Sequence, residues 1–198
     1  RALDFSADGK YLASGSDDKT IKIWNMETTE HIDLIGHIDS VNSVAFHRNS
    51  QMLASAADDR TIRIWDLETN TSVVLEGEEQ HQSKSIESVC FSADGRYLIS
   101  CAYDKTIKLW KTADFKLEHT LDRHRARVRD VAINNSSSVM ASCSEDGVVK
   151  VWNLDQKREK FEISIPKIYH HLNIHNVKGL SNAQKSSLAS LGAVDFVK

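Results

Sequence analysis

Along the first 165 residues, apolar and polar positions alternate in short runs that return in a fixed order. VNSVAF (41–46) alternates with the period of a half-buried strand and leads into a turn-rich stretch, as SVCF (88–91) does. The turn stretches are SADG (6–9), HRNS (47–50), SADG (92–95) and NNSS (134–137). A second run is small and apolar: YLASGS (11–16), MLASAA (52–57), YLISCA (97–102) and VMASCS (139–144). Next comes an octet, DDKTIKIW (17–24), repeated as DDRTIRIW (58–65), YDKTIKLW (103–110) and, more loosely, EDGVVKVW (145–152). Its acidic half predicts a turn and its apolar half a third strand, with Ile21 and Ile23 on one face and Lys22 and Trp24 on the other. A fourth strand is expected at HIDLI (31–35), SVVLE (72–76), LEHTL (117–121) and KFEIS (160–164).

Trp24, Trp65, Trp110 and Trp152 therefore mark a repeat of 41 to 45 residues, the length of four short strands with their turns. Evenly spaced strands with no helical period between them predict antiparallel sheet rather than βαβ units. One such sheet cannot cover both of its faces, whereas sheets stacked around an axis cover each other. The expected fold is all-β, with four four-stranded blades at about 1–35, 41–76, 86–121 and 128–165, followed by a C-terminal extension over 166–198. EGEEQHQSKS (76–85) is an insertion, so the third blade should be the least regular. Four blades are at the low limit for closing a ring, so a larger ring is expected, completed by further blades of the same protein or by a second copy. RALDF (1–5) reads as the interior of a repeat already under way, which suggests the C-terminal part of a longer protein.

Composition removes several function classes. With 25 Lys and Arg against 28 Asp and Glu, the formal charge of −3 gives no basic field for nucleic acid. No apolar run has the length of a membrane span and nothing resembles a signal peptide, so a cytoplasmic protein without membrane contact is expected. Cys90, Cys101 and Cys143 are odd in number and lack C-x-x-C spacing, which argues against a disulfide framework and a zinc knuckle. No glycine-rich phosphate loop is present, and no cofactor is expected.

Gly36-His37, the ASGS-like second strand, the DDKTIKIW octet and Trp65-Asp66 together resemble the WD-repeat β-propeller family. That resemblance implies a non-enzymatic platform for a protein or peptide partner. It also implies that a His, a second-strand Ser or Thr, the turn Asp and the Trp of each repeat form a buried hydrogen-bonded set. The Asp six positions before each Trp is Asp18, Asp59, Asp104 or Asp146, and His37 and His124 each stand 22 positions before theirs. Taking the Ser two positions before the Asp gives Ser16 in the first repeat and Ser144 in the fourth. On that choice only His124, Ser144, Asp146 and Trp152 make a full set, because Ala57 and Ala102 stand at the Ser position of the second and third repeats. Whether His81 or Gln82 takes the third His place is open.

Ser, His and Asp in one neighbourhood suggest a hydrolase, but a set recurring once per blade and ending on Trp points to architecture, and no catalytic residue is expected. The pairs Asp17-Asp18 and Asp58-Asp59 read as turn carboxylates. His170, His171 and His175 sit in a stretch that looks extended or turn-like rather than helical, and no metal site is expected.

In the family, partners usually dock on the upper face, where the first strand of each blade begins. The positions there are Arg1, Ser40, Asn42, Ser85, Glu87, Arg127 and Arg129. In RHRARVR (123–129), strand geometry would put Arg125, Arg127 and Arg129 on one face, suited to an acidic peptide or phosphate, with Glu87 partly offsetting them.

After Pro166 the pattern changes. Ser181 and Gln184 form a capping box that opens a short helix over about 182–191, with Leu188 and Leu191 as its apolar stripe and Gly192 to end it. NIHNVKGLSNAQKSSLASLGAV (173–194) also resembles the tail of bacterial WD-repeat proteins linked to signal-transduction NTPases. This implies an alternative role, the trigger-sensing regulatory arm of such an NTPase with its catalytic module upstream.

Overall fold

The computed structural model describes residues 1–75, 85–164 and 181–190. Among them, sixteen strands form four antiparallel sheets, each a meander in chain order. The first blade holds β1 (Ala2–Phe5), β2 (Tyr11–Gly15), β3 (Thr20–Asn25) and β4 (His31–Ile35). The second holds β5 (Val41–Phe46), β6 (Met52–Ala57), β7 (Ile62–Asp66) and β8 (Thr71–Val74). The third holds β9 (Ile86–Phe91), β10 (Tyr97–Ala102), β11 (Ile107–Lys111) and β12 (Leu117–Leu121). The fourth holds β13 (Val128–Ile133), β14 (Val139–Ser144), β15 (Val148–Asn153) and β16 (Arg158–Ser164). No helix among the described residues is long and apolar enough to cross a membrane.

The octet makes its turn by putting its third residue in the left-handed region: Lys19, Arg60 and Lys105 at φ 72° to 75°, and Gly147 at 80°. Gly takes this conformation without steric cost; the other three are held by the Asp before them, whose carboxylate accepts the N–H of the residue after. Departures from a regular ladder concentrate in the third blade. Its pairings shift register twice, at Cys101/Ala102 and at Leu109/Trp110, while the described pairings of the second and fourth blades shift once each and those of the first not at all.

The core is a series of layers between neighbouring sheets. Trp65 packs with Ile21, Ile23 and Leu34 of the first blade, Trp110 with Ile62 and Ile64 of the second, and Trp152 with Ile107 and Leu109 of the third. Each of these tryptophans thus plugs the seam with the blade before it. The first strands lie side by side, β1 on β5, β5 on β9 and β9 on β13. Polar rungs join them: Phe46 N–H donates to Asp4 Oδ2 (2.6 Å), Val89 N–H to Ser43 Oγ (3.1 Å) and Ser88 Oγ–H to Asp130 Oδ1 (2.8 Å).

The chain divides into two compact units, Arg1–Ile163 and Ser164–Lys198. The described element of the second is α1 (Asn182–Ser190). It opens on the capping box its sequence spells: Ser181 N–H donates to Gln184 Oε1 (2.9 Å) and Gln184 N–H to Ser181 Oγ (3.3 Å). Leu191 and Gly192 lie outside the described residues.

Candidate functional site

Two polar constellations stand out, one whose Trp, Ser and turn Asp recur in every blade and one that differs from blade to blade. In the second blade, Trp65 Nε1–H donates to Ser55 Oγ (2.8 Å), Ser55 Oγ lies 2.7 Å from His37 Nε2, and His37 Nδ1 lies 2.8 Å from Asp59 Oδ2. One proton order satisfies all four groups: Trp N–H to Ser, Ser O–H to Nε2, and Nδ1–H to the carboxylate. The fourth blade repeats it with Trp152, Ser142, His124 and Asp146 at 2.8, 2.7 and 3.1 Å. Burial alone would raise the Asp59 pKa, but hydrogen bonds from His37, Thr61 and the Ile38 N–H outweigh it and hold the carboxyl well below the usual range. Asp146 is lowered on the same balance, with the Arg125 N–H and His124 opposing its burial.

These distances correct the serine assignment. The hydroxyl that serves each tryptophan stands ten positions before it: Ser14, Ser55, Ser100 and Ser142. Ser16 and Ser144 instead sit at the turn, where each hydroxyl accepts the N–H of the Asp two positions on, Asp18 and Asp146, and Ser144 also donates to Ala126 O. The reason is reach: at about 3.3 Å per residue, a serine paired opposite Thr20 is roughly 13 Å along the ladder from Trp24. Ala57 and Ala102 therefore interrupt nothing, and the second blade holds a full set. The signal was in the sequence, since a serine stands at this place in all four second strands. Thr20, Thr61 and Thr106, whose hydroxyls each donate to the turn Asp at 2.7 Å, were also missed. In the third blade Trp110 bonds Ser100 (2.9 Å), and both candidates for its histidine place, His81 and Gln82, lie outside the described residues.

A Ser–His–Asp chain of this kind resembles a hydrolase site, but Ser55 is fully buried and its hydroxyl already bonds both Trp65 and His37, so no substrate carbonyl can reach it. Burial pushes the Cys101 thiol well above its ordinary range, away from nucleophilic use. His170, His171 and His175 lie outside the described residues; among those described, no group of His, Cys, Asp and Glu could hold a metal ion.

The second constellation is the upper rim, where the first strands begin. Arg1 pairs with Asp17 and reaches Asn42 Oδ1 (2.5 Å) and Asp58 (3.6 Å). Asn42 Nδ2–H and Ser85 Oγ–H both donate to Asp58 Oδ1, at 2.6 and 2.5 Å. Ser40 contributes backbone, its carbonyl accepting the Asp58 N–H. Farther round, Arg129 lies 3.2 Å from Glu87 and 2.8 Å from Glu145, and Arg127 lies 3.8 and 3.3 Å from the same two carboxylates while its guanidinium covers the Tyr103 ring at 5.0 Å. Burial raises the Glu87 pKa and Arg129 opposes the rise. The expectation of three aligned arginines does not hold: β13 starts only at Val128, its register shifts between Val128 and Asp130, and Arg125 lies outside the strand with its N–H on Asp146. Arg127 and Arg129 are not bare cations either, since two glutamates face them.

The WD domain, G-beta repeat family matches residues 1–25, 28–66, 74–111 and 115–153. The chain belongs to this family. Its WD repeats are the kind that build protein–protein interaction scaffolds. Curated relatives match one repeat's length: 39% identity over 51 residues with apoptotic protease-activating factor 1 of Rattus norvegicus, covering 26% of this chain and 4% of that protein. The U3 small nucleolar RNA-interacting protein 2 of Homo sapiens is 43% identical over 49 residues, 24% of this chain and 10% of its own length. The ribosome biogenesis protein BOP1 homolog of Culex quinquefasciatus is 47% identical over 49 residues, 25% and 6%. The similarity is thus to a WD repeat and spans a tenth or less of each relative.

Proposed function

We propose that the chain is a non-enzymatic scaffold that binds a protein or peptide partner on its upper rim, and that the partner presents both acidic and basic groups. The observation that carries this is the contrast between the repeated and the varied positions. The Trp, Ser and turn Asp recur in every blade, whereas one rim position reads Arg1, Asn42, Glu87, Arg129 and its neighbour reads Asp17, Asp58, Tyr103, Glu145. A purely acidic partner would have to displace Glu87 and Glu145 from both arginines; a mixed one can exchange pairs across the rim. The test is affinity capture with the wild-type chain, with Arg127→Ala/Arg129→Ala, and with Lys116→Ala at the opposite end as control. Loss of the same captured proteins only in the rim variant supports the reading; retention of every one of them overturns it.

The blade-one face that carries Leu3, Phe5 and Trp24 supports membership of a larger ring. Leu3 and Phe5 are 70% and 58% exposed, on a face of the same kind as those another sheet covers at Trp65, Trp110 and Trp152. A further blade, of this protein or of a second copy, would cover it. The alternative role as sensing arm of a bacterial NTPase draws on the tail, of which only 181–190 is described, and no contact of the blades favours it.

A further inference from the structure

The lower, outer corners between blades carry a second difference. There, the turn between the third and fourth strand of one blade meets the end of the blade before it. Late in that turn one residue is left-handed in every blade: Thr29, Asn70, Phe115 and Lys157, at φ 50° to 61°. A phenylalanine in that conformation is uncommon, and here it has a use. Phe115 packs against the core layer between the second and third blades and walls the corner beside Ile64 and Val73, leaving a space of about 330 Å³ there and another of about 410 Å³ between Met52 and Thr112. Between the third and fourth blades, Lys157 crosses to Glu118 (3.0 Å) and also walls a space of about 470 Å³ beside Trp152. Between the first and second blades the corresponding residue is Asn70, which is exposed, and a groove of about 720 Å³ stays open. Tyr11, Ile23, Ile32 and Leu67 line it, and Glu30 and Glu68 stand among its lining as carboxylates.

We infer that this groove is a second docking site, for a partner segment that presents one aromatic side chain flanked by lysine or arginine. The molecule supplies both halves of the template: an aromatic ring occupies one equivalent corner and a cationic side chain paired to a glutamate spans another. The apolar lining suits the ring and the two glutamates suit its neighbours. The site lies at the opposite end from the rim, so it stands or falls independently of the rim reading.

Acetyl-Lys-Phe-Lys-amide is the probe, titrated into the isotope-labelled protein by NMR beside acetyl-Glu-Phe-Glu-amide and acetyl-Lys-Ala-Lys-amide. Saturable shifts are expected at Ile32 and Leu67 with the first peptide, and about tenfold weaker binding with either of the others. Asn70→Phe should fill the corner as Phe115 does and weaken the probe about tenfold, leaving rim partners unchanged. If that variant does not fold, Ile32→Lys, on a side chain already 46% exposed, serves instead. Equal binding of the three peptides, shifts confined to other residues, or unchanged affinity in the variant would overturn the proposal. So would a concentration-dependent dimer that Asn70→Phe abolishes, which would assign the groove to a second copy.

Discussion

Trp65 and Trp24 close the same octet and donate to the same serine position, at 2.8 and 2.9 Å, yet one is 4% exposed and the other only half-buried. The second blade has the first one behind it; among the described residues, the Trp24 face has no sheet on it. Hydrogen bonding within a blade is therefore a local property of the repeat, and the burial that gives it energetic weight comes from the neighbour. The same contrast runs through the set: Ser55 is sealed and bonded to His37 as well as to Trp65, while Ser14 remains partly accessible.

The largest expected effect separates the two tryptophans. Trp65→Ala should cost about 3–5 kcal/mol in a urea melt, the range for emptying a buried aromatic site, and Trp24→Ala about 1–2 kcal/mol, because its ring keeps part of its hydration in the folded state. Equal losses would break the comparison. Next come the serines. Ser55→Ala leaves the Trp65 N–H and His37 Nε2 without a partner in a buried place and should cost about 2–3 kcal/mol, while Ser14→Ala strands one donor that water can reach and should cost about 1 kcal/mol or less.

The pH response should follow the carboxylates. Asp59 has its folded pKa lowered, so its stabilisation is fully present above the ordinary carboxylate value of about 4 and fades as pH falls below it toward the folded value. Urea midpoints measured from pH 6 down to pH 2 should therefore drop, and Asp59→Asn should be less stable at pH 6 with a shallower drop. Asp18, lowered by Thr20 but exposed, should change that slope less when replaced by Asn. The smallest effect is reserved for Ser144→Ala, which should cost about 1 kcal/mol or less because it removes turn bonds to Ala126 and Asp146 and leaves Trp152 on Ser142. A loss matching that of Ser142→Ala would restore Ser144 to the set.

The meander of each blade was legible because its signals are local. Alternation gives the faces, the turn carboxylate gives the left-handed corner, and Ser181 with Gln184 gives the helix start. The histidine partners were legible too, since 22 residues separate each from its Asp. The serine was misplaced because distance from the turn is not distance from the indole; the recurrence of serine ten positions before each tryptophan marks the right hydroxyl, and the pairing of Leu12 with Trp24 and Ser14 with Lys22 shows why the ring reaches it. For the rim arginines, the sequence places Glu87 beside Arg127 and Arg129, as the structure does, but not Glu145. Glu145 opens the fourth octet, 18 residues after Arg127, and no local pattern announces that the turn brings it onto both arginines.

By itself, then, the sequence determined four repeated sheets, the turn that closes each octet, and the tryptophan that each sheet offers to a neighbour. Tertiary structure decided which arginines are balanced, which tryptophan is sealed, and what fills each blade corner. The division follows the range of the forces. Strand periodicity and turn conformation are settled within a few residues, whereas burial and charge pairing depend on which sheet stands against which.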